Sequence, residues 1–348
     1  MDLADVGRFA RRPYSALPTR IDFMPNLTRA LGGADLYIKR DDSLGLLGGG
    51  NKARKLEFVM ADAIAQGADA VITCGAVQSN HCRLTLSAAA REGLDGHLVL
   101  WERPGDPYDP DGNGNAFLYH MLAVASITLV PEIERLASTM ESVAERLRAA
   151  GGHPYVIPLG ASNGLGALGY VRCAEEIEAQ AEALGVRFDT VVVANGAGGT
   201  QAGLIAGFDA LGSPTRVLGV GVGGTEAEHA QNVRNVLAQL GETVAQDMRG
   251  LGSAIWCSGS FGGPPHPQVG AETLEAIEMA ARLEGILVDP TYTGKALAGL
   301  IALTRDGTFG PGKNVLFLHT GGIPGLYAHA PELLVHWRRN GPDPAARP

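Results

Sequence analysis

The chain has 348 residues, 45% hydrophobic and 19% charged, with a net charge of −9. That suits a globular protein of one large or two medium domains with ample core. The acidic balance and scattered basic residues exclude a nucleic-acid or anionic-membrane surface, and no run approaches the roughly 18 apolar residues of a membrane span. In chain order, the first expected strand is "DLYIKR" (35–40), and an amphipathic helix follows over 51–66. Then come the strand "ADAVITCG" (68–75), a helix over 79–92 and the strands "GHLVLWE" (96–102) and "ITLVP" (127–131). "EIERLASTMESVAERLRAA", within an expected helix over 131–150, has apolar residues at helical spacing on a charged background, the pattern of a surface helix. The strands "HPYVIPLG" (153–160), "DTVVVANG" (189–196), "RVLGVGVG" (216–223) and "NVLFLHTG" (314–321) complete the series.

Near-continuous apolar strands separated by helices imply an α/β protein whose parallel sheets are covered on both faces. A chain of this length can split into two α/β units, with a seam near residue 160. Residues 243–268 are weakly patterned and read as a loop-rich excursion. The cysteines Cys74, Cys82, Cys173 and Cys257 form no C-x-x-C pair, so neither a disulfide framework nor a metal site is expected. "MDLADVGRFARRP" carries acids and no apolar stretch of signal-peptide length, which points to the cytoplasm.

Glycines cluster just after the strands, where α/β sheets bind ligands. In "DTVVVANGAGGTQAG" a buried strand runs into Gly196, Ala197, Gly198, Gly199 and Thr200, and a helix follows. Unhindered backbone N–H groups, a hydroxyl and a helix N-terminus form a cup for a phosphate. Gln201 stands where a dinucleotide fingerprint needs its last glycine, so a phosphate monoester fits better than a pyrophosphate. In "CGAVQSNHCRLT" Ser79 and Asn80 read either as helix caps or as donors to a ligand carboxylate. Lys52, in "LLGGGNKARKLEF", sits on a first helical turn, where an ammonium is electrostatically misplaced. It is either an exposed residue or an amine held neutral for imine chemistry. Pyridoxal phosphate needs all three features together: a lysine for its aldehyde, a cup for its phosphate and a second cup for the substrate carboxylate.

The segments "LPTRIDFMPNLTRALGGADLYIKRDD", "GGNKARKLEF", "GAVQSNHCR", "GALGYVRCAEEI", "GTQAGL", "VDPTYTGKALAGL" and "HTGGIPGL" extend from Leu17 to Leu326. Over this span the chain resembles the D-cysteine desulfhydrase and 1-aminocyclopropane-1-carboxylate deaminase group, pyridoxal-phosphate enzymes with the tryptophan synthase β-subunit fold (fold type II). The resemblance implies a homodimer with a large domain (1–50 and 165–348) and a small one (51–164). It makes Lys52 the lysine that takes the cofactor aldehyde and then the base at the α-carbon. Gly196 to Thr200 would hold the phosphate and Asn80 the phenolic oxygen. Ser79, with N–H groups from Gln78, Asn80 and His81, would take the substrate carboxylate. Tyr292 would pack near the cofactor and transfer a proton, and Thr293 and Thr320 would offer neutral hydroxyls near the pyridine nitrogen.

At the position of Thr293 the deaminase branch has a glutamate, which keeps the pyridine protonated and makes the ring a strong electron sink. A hydroxyl cannot do this, and an unprotonated ring suffices when the β-substituent leaves readily. The expected reaction is therefore elimination of sulfide or sulfite from a small sulfur amino acid, as in D-cysteine desulfhydrase or L-cysteate sulfo-lyase, yielding pyruvate and ammonia. In place of the tyrosine usual in the family stands His266, which binds an anionic leaving group, acts as an acid near neutral pH or lines a loop. Leu84 and Trp101 are further departures. A deaminase of the cyclopropane substrate, and a non-catalytic pyridoxal-phosphate-binding protein, are the competing expectations.

Overall fold

The computed structural model describes residues 4–259, 261 and 269–340; His266 lies outside them. The chain opens with α1 (Ala4–Gly7), β1 (Ile21–Phe23), α2 (Pro25–Leu31) and β2 (Asp35–Lys39). Next come α3 (Lys52–Ala65), β3 (Ala70–Ala76), α4 (Asn80–Glu92), β4 (Asp95–Trp101) and α5 (Asn115–Met121). β5 (Ser126–Val130), α6 (Leu136–Ala149) and β6 (Pro154–Val156) follow. The chain continues through α7 (Gly164–Leu184), β7 (Thr190–Asn195), α8 (Gly199–Ala210), β8 (Arg216–Gly221), α9 (Glu226–Val244) and β9 (Trp256–Ser258). It ends with α10 (Ala271–Glu284), α11 (Thr293–Arg305), β10 (Asn314–Leu318), α12 (Ile323–Ala328) and α13 (Ala330–Asn340).

Among the described residues the strands form two sheets. The larger has the order β1-β2-β10-β7-β8-β9, parallel except for the antiparallel β1–β2 pair; the smaller, β5-β4-β3-β6, is wholly parallel. One face of the large sheet is covered by α7, α8 and α9 through Tyr170, Ile177, Leu204, Phe208 and Leu237, and the other by α2, α10 and α11 through Leu27, Ile277 and Leu300. The small sheet follows the strand period of two. Val71 packs toward α3 and α4, while its neighbour Ile72 packs toward α6. Burial on both faces is why these strands are apolar throughout and why their pairing was readable as parallel.

The expected strands are present with ends shifted by up to three residues, the last expected strand stopping at Leu318, and with one larger correction. "HPYVIPLG" is extended only over Pro154–Val156, because a 3-10 turn at Leu159–Ala161 takes over and Gly160 adopts a left-handed φ of 69°. The expected helix over 131–150 begins as a 3-10 turn at Ile133–Arg135 before α6 forms. β1 and β9 were not anticipated. Each is three residues long, too short to show a period.

A buried ion network fixes α3 in place. The Arg54 guanidinium grips Asp41 with two bonds of 2.7 and 2.8 Å and reaches Glu176 on α7 at 2.8 Å. Lys39 on β2 pairs with Glu176 and donates to Gln180 and to the Thr19 carbonyl, and the Tyr170 hydroxyl donates to Asp41 at 2.7 Å. Burial alone would raise the Asp41 pKa, but Arg54, with Lys39, holds it below the ordinary carboxylate value. Removing one partner leaves an uncompensated buried charge. Arg54→Ala is therefore expected to destabilise the protein by about 3–5 kcal/mol, read as a lowered urea midpoint. A loss below about 1 kcal/mol would show the network to be dispensable.

Candidate active site

Lys52 is the first residue of α3 and is delivered by three consecutive glycines. Gly48, Gly49 and Gly50 have φ of 71°, 63° and 125°, and a Cβ on Gly49 would lie 1.7 Å from the Asp42 carbonyl oxygen. Only glycine makes that turn. The helix has no side-chain cap, because the Asn51 amide is used elsewhere: it donates to Thr200 Oγ1 at 2.9 Å and accepts from Lys52 Nζ at 3.0 Å. Burial pushes the Lys52 amine down to a pKa of about 8, with Asp289 opposing and Arg83 assisting the shift. An amine that is partly neutral at physiological pH is a nucleophile, which resolves the misplaced charge seen in the sequence.

The Asn51–Thr200 bond ties Lys52 to the loop between β7 and α8. Gly198 has φ 80°, and a Cβ there would strike the backbone of Asn232 and Val233 at 2.7–2.8 Å. Asn232 Nδ2 also holds the Gly196 carbonyl at 3.1 Å. Among the described residues, the N–H groups of Ala197, Gly198, Gly199 and Thr200 donate to no protein acceptor, so the loop presents a converging set of free donors at a helix N-terminus. Lys55, one turn beyond Lys52, is buried against this loop and donates to Ser162 Oγ at 3.0 Å and the Gly160 carbonyl at 3.3 Å. A Cβ on Gly199 would lie 2.8 Å from its amine. Burial, reinforced by Lys52, holds its pKa well below the ordinary value, so a bound dianion would restore its charge. Sequence inspection missed Lys55; the i, i+3 spacing from Lys52 was the available signal.

On the small sheet, Ser79 is the N-cap of α4 and accepts from Cys82 N–H at 3.2 Å, leaving its own hydrogen to donate outward. The Asn80 carbonyl oxygen is occupied by Arg83 at 3.0 Å and Asn115 Nδ2 at 3.1 Å, so its NH2 group is the free end. Arg83, fully buried, also donates to Asn115 Oδ1 and the Gly49 carbonyl, linking α4 to the glycine turn before Lys52. Burial pushes its pKa down to about 10. The Gln78 side chain accepts from Asn115 N–H at 2.8 Å and donates to the Asn113 carbonyl. Tyr119 donates to the Ser79 carbonyl at 3.0 Å. The His81 ring is buried against the Thr73 hydroxyl at 2.7 Å, and burial holds it neutral, so only its backbone faces the loop chemistry.

The start of α11 closes the site. The Tyr292 ring centre lies 5.7 Å from Lys52 Nζ, and burial raises the phenol pKa. Asp289, also unnoticed in the sequence, accepts from the N–H groups of Thr291, Tyr292 and Thr293 at 2.9 Å each and from the Thr293 hydroxyl at 2.6 Å. The Thr293 hydroxyl also accepts from Asp289 N–H at 2.8 Å. It is buried, and its one hydrogen is directed at Asp289, with the Gly321 carbonyl at 3.3 Å as a second acceptor. The Thr320 carbonyl accepts from Asn51 N–H at 3.1 Å, which places the "HTGG" turn beside the same centre. His319 is core, its Nε2 bonded to the Leu287 carbonyl at 2.7 Å.

A depressed lysine pKa, free amide donors at a helix start and a second capped helix end fit one class of protein: α/β enzymes that work with pyridoxal 5'-phosphate. Residues 14–321 match the family model described as pyridoxal-phosphate dependent enzyme, and the chain belongs to that family. It is similar to a crystal structure titled as an ACC deaminase homologue, with 37% identity over 96% of this chain and 98% of that one, at a TM-score of 0.85. This agrees with the resemblance to the D-cysteine desulfhydrase and ACC deaminase group. A T.th. threonine deaminase (21% identity, 92% and 98% coverage, TM-score 0.66) shares the fold. So does a pyridoxal 5'-phosphate-dependent aspartate racemase (15% identity, 92% and 95% coverage, TM-score 0.68).

The chain's lysines are Lys39, Lys52, Lys55, Lys295 and Lys313, few enough for individual titration. After reductive methylation with carbon-13 of the cofactor-free protein, the resonance absent from Lys52→Arg is expected to titrate near pH 8. The neutral amine should dominate above that pH. A midpoint at or above about 10, the ordinary lysine value, would overturn the assignment.

Proposed function

We propose that this enzyme eliminates a sulfur leaving group from a small amino acid, forming pyruvate, ammonia and either sulfide or sulfite. When bound, pyridoxal phosphate withdraws electrons from the substrate α-carbon. In this reading Lys52 holds the cofactor aldehyde and, once displaced by substrate, carries the α-proton; Asn51 aims its amine. Ala197 to Thr200 hold the phosphate through their free N–H groups, with Gly196 shaping the loop and Lys55 adding charge. The free NH2 of Asn80 meets the phenolic oxygen. Ser79 and the N–H groups from Gln78 to His81 take the substrate carboxylate, and Tyr292 relays a proton beside Lys52. Thr320 borders the ring. His266 is kept as a leaving-group contact, on the strength of its place in the sequence.

The observation that carries this reading is Thr293, buried at the α11 start with its hydrogen bound to Asp289. The Asp289 carboxylate keeps its charge, but four donors occupy its oxygens, so in this reading the group that borders the pyridine nitrogen is the Thr293 hydroxyl and not an acid. Such a site supports departure of a good leaving group rather than prolonged charge storage in the ring. The similarity to an ACC deaminase homologue favours a second reading, deamination of the cyclopropane substrate to 2-oxobutyrate.

The same proposal includes the large unit at 1–50 and 165–348, the small one at 51–164, a homodimer and a cytoplasmic setting. The two sheets fall on either side of that division. Among the described residues no helix is long and apolar enough to cross a membrane, and no acidic, His and Cys cluster suited to a metal occurs.

Assaying keto acids released from D-cysteine, L-cysteine, L-cysteate and aminocyclopropane carboxylate separates the readings. Pyruvate from a sulfur substrate is expected, with a loss of about 10²–10⁴-fold or more in Lys52→Ala. Only 2-oxobutyrate, from the cyclopropane, would overturn the proposal in favour of the second reading.

A further inference from the structure

At the end of the large sheet away from Lys52, a cleft of about 200 Å³ opens where β7, β8, β9 and β10 begin. β7 spans Thr190 to Asn195, so the cleft lies roughly 17 Å, five strand steps, from the amide loop that follows that strand. One wall is aromatic and firmly held. The Trp256 ring meets the buried Phe309 edge-on, with ring centres 6.3 Å apart, and the Trp256 carbonyl accepts from Gln201 Nε2 at 2.8 Å. The Arg216 guanidinium lies over that ring, 4.2 Å from its centre.

Three cations line this cleft: Arg187, Arg216 and Lys313. Among the described residues none of them pairs with an acid, whereas Arg12, Arg148, Arg282 and Arg305 each hold a carboxylate at 2.6–2.8 Å. Lys313 Nζ has one long bond, to the Thr308 carbonyl at 3.3 Å. In a chain of net charge −9, three unpaired cations around one opening concentrate positive potential. The strand order spaces them. β8 and β10 flank β7, so their starts are about 10 Å apart, and Arg216 and Lys313 stand on opposite sides of the cleft. Between them is Asp189, which also lines the cleft and precedes β7. Its Oδ2 accepts the Asn314 N–H at 2.8 Å, and its other carboxylate oxygen has no partner among the described residues.

We propose that this cleft is a second binding site, for an acidic amino acid: one carboxylate meets Arg216, the other meets Lys313, and the ammonium meets the free oxygen of Asp189. The Trp256 ring holds the Arg216 guanidinium from one face and leaves its planar fork to take a carboxylate with two parallel bonds. Arg187, whose carbonyl is anchored by Asn314 Nδ2 at 3.0 Å, adds a further positive charge at the same opening. A point anion such as phosphate reaches only one side of the spaced cations and is repelled by Asp189. A plain dicarboxylate satisfies both sides but leaves Asp189 facing like charge, and a neutral amino acid leaves one cation unmet. Drug-sized ligands fill about 300–1,000 Å³, so the smaller cleft suits a molecule of about ten non-hydrogen atoms, the size of glutamate or aspartate. The site works whichever reaction Lys52 carries out.

Calorimetric titration of the holoenzyme with L-glutamate and L-aspartate, beside glutarate, succinate, L-glutamine and inorganic phosphate, tests the site. One of the two acidic amino acids is expected to bind saturably, about tenfold or more tighter than the other four probes. Arg216→Gln and Lys313→Met should each weaken that binding about tenfold or more. Asp189→Asn should weaken the amino acid and leave glutarate unchanged. All three side chains are exposed, and an unchanged melting midpoint certifies the fold of each variant. Binding that survives both cation variants within about threefold belongs to the reaction centre and would overturn the cleft site. So would the lack of saturable binding below about 10 mM. Glutarate, succinate or phosphate binding as tightly as the acidic amino acids, in the cleft, would overturn the ligand class.

Discussion

The rest of the site depends on the buried grip of Asp41 and Glu176 on Arg54. At about 100° per residue, Arg54 projects roughly 200° around α3 from Lys52, while Lys55 returns to nearly the same side as Lys52. The clamp thus holds the back of the helix against α7 and leaves its front to the chemistry. Two bonds to Asp41 fix rotation as well as position, which a single contact would not do. Close packing assists: a Cβ on Gly169 would lie 2.3 Å from the Arg54 carbonyl oxygen. A reactive amine is useful only if its placement is set to within a fraction of an ångström, and here a charge network far from solvent sets it.

On this rigid back the protein assembles an unusual electrostatic front. The whole chain is acidic, yet Lys52, Lys55 and Arg83 gather around the glycine turn and the β7–α8 loop, and the nearby carboxylate of Asp289 is consumed by its own helix start. Neutral amides, rather than acids, orient these cations: Asn51 holds Lys52, while Asn80 and Asn115 hold Arg83. The arrangement keeps amines near their deprotonation point and leaves positive potential for anionic groups to satisfy. A phosphate and a substrate carboxylate are two ways of spending it.

Both sheets contribute to this front, which explains why neither half of the chain carries the site alone. α3 and the β7–α8 loop are joined by the Asn51–Thr200 bond, and α4 reaches the glycine turn before Lys52 through Arg83.

By itself the sequence determined the alternation of strand and helix, the glycine turn that presents Lys52, the free-amide loop at Gly196 to Thr200 and the Ser79 cap. These are local properties: apolar period, left-handed glycines and helix-terminal donors are written in consecutive residues. Only the tertiary structure decided which charges are buried and with whom. Arg54, Lys55, Arg83 and Asp289 look like ordinary surface residues in the sequence, because charge is normally solvated and nothing local says otherwise. Their roles arise where segments more than a hundred residues apart are packed together, as Arg54 is with Glu176, since the cost of desolvating a charge depends on the partners that long-range packing supplies.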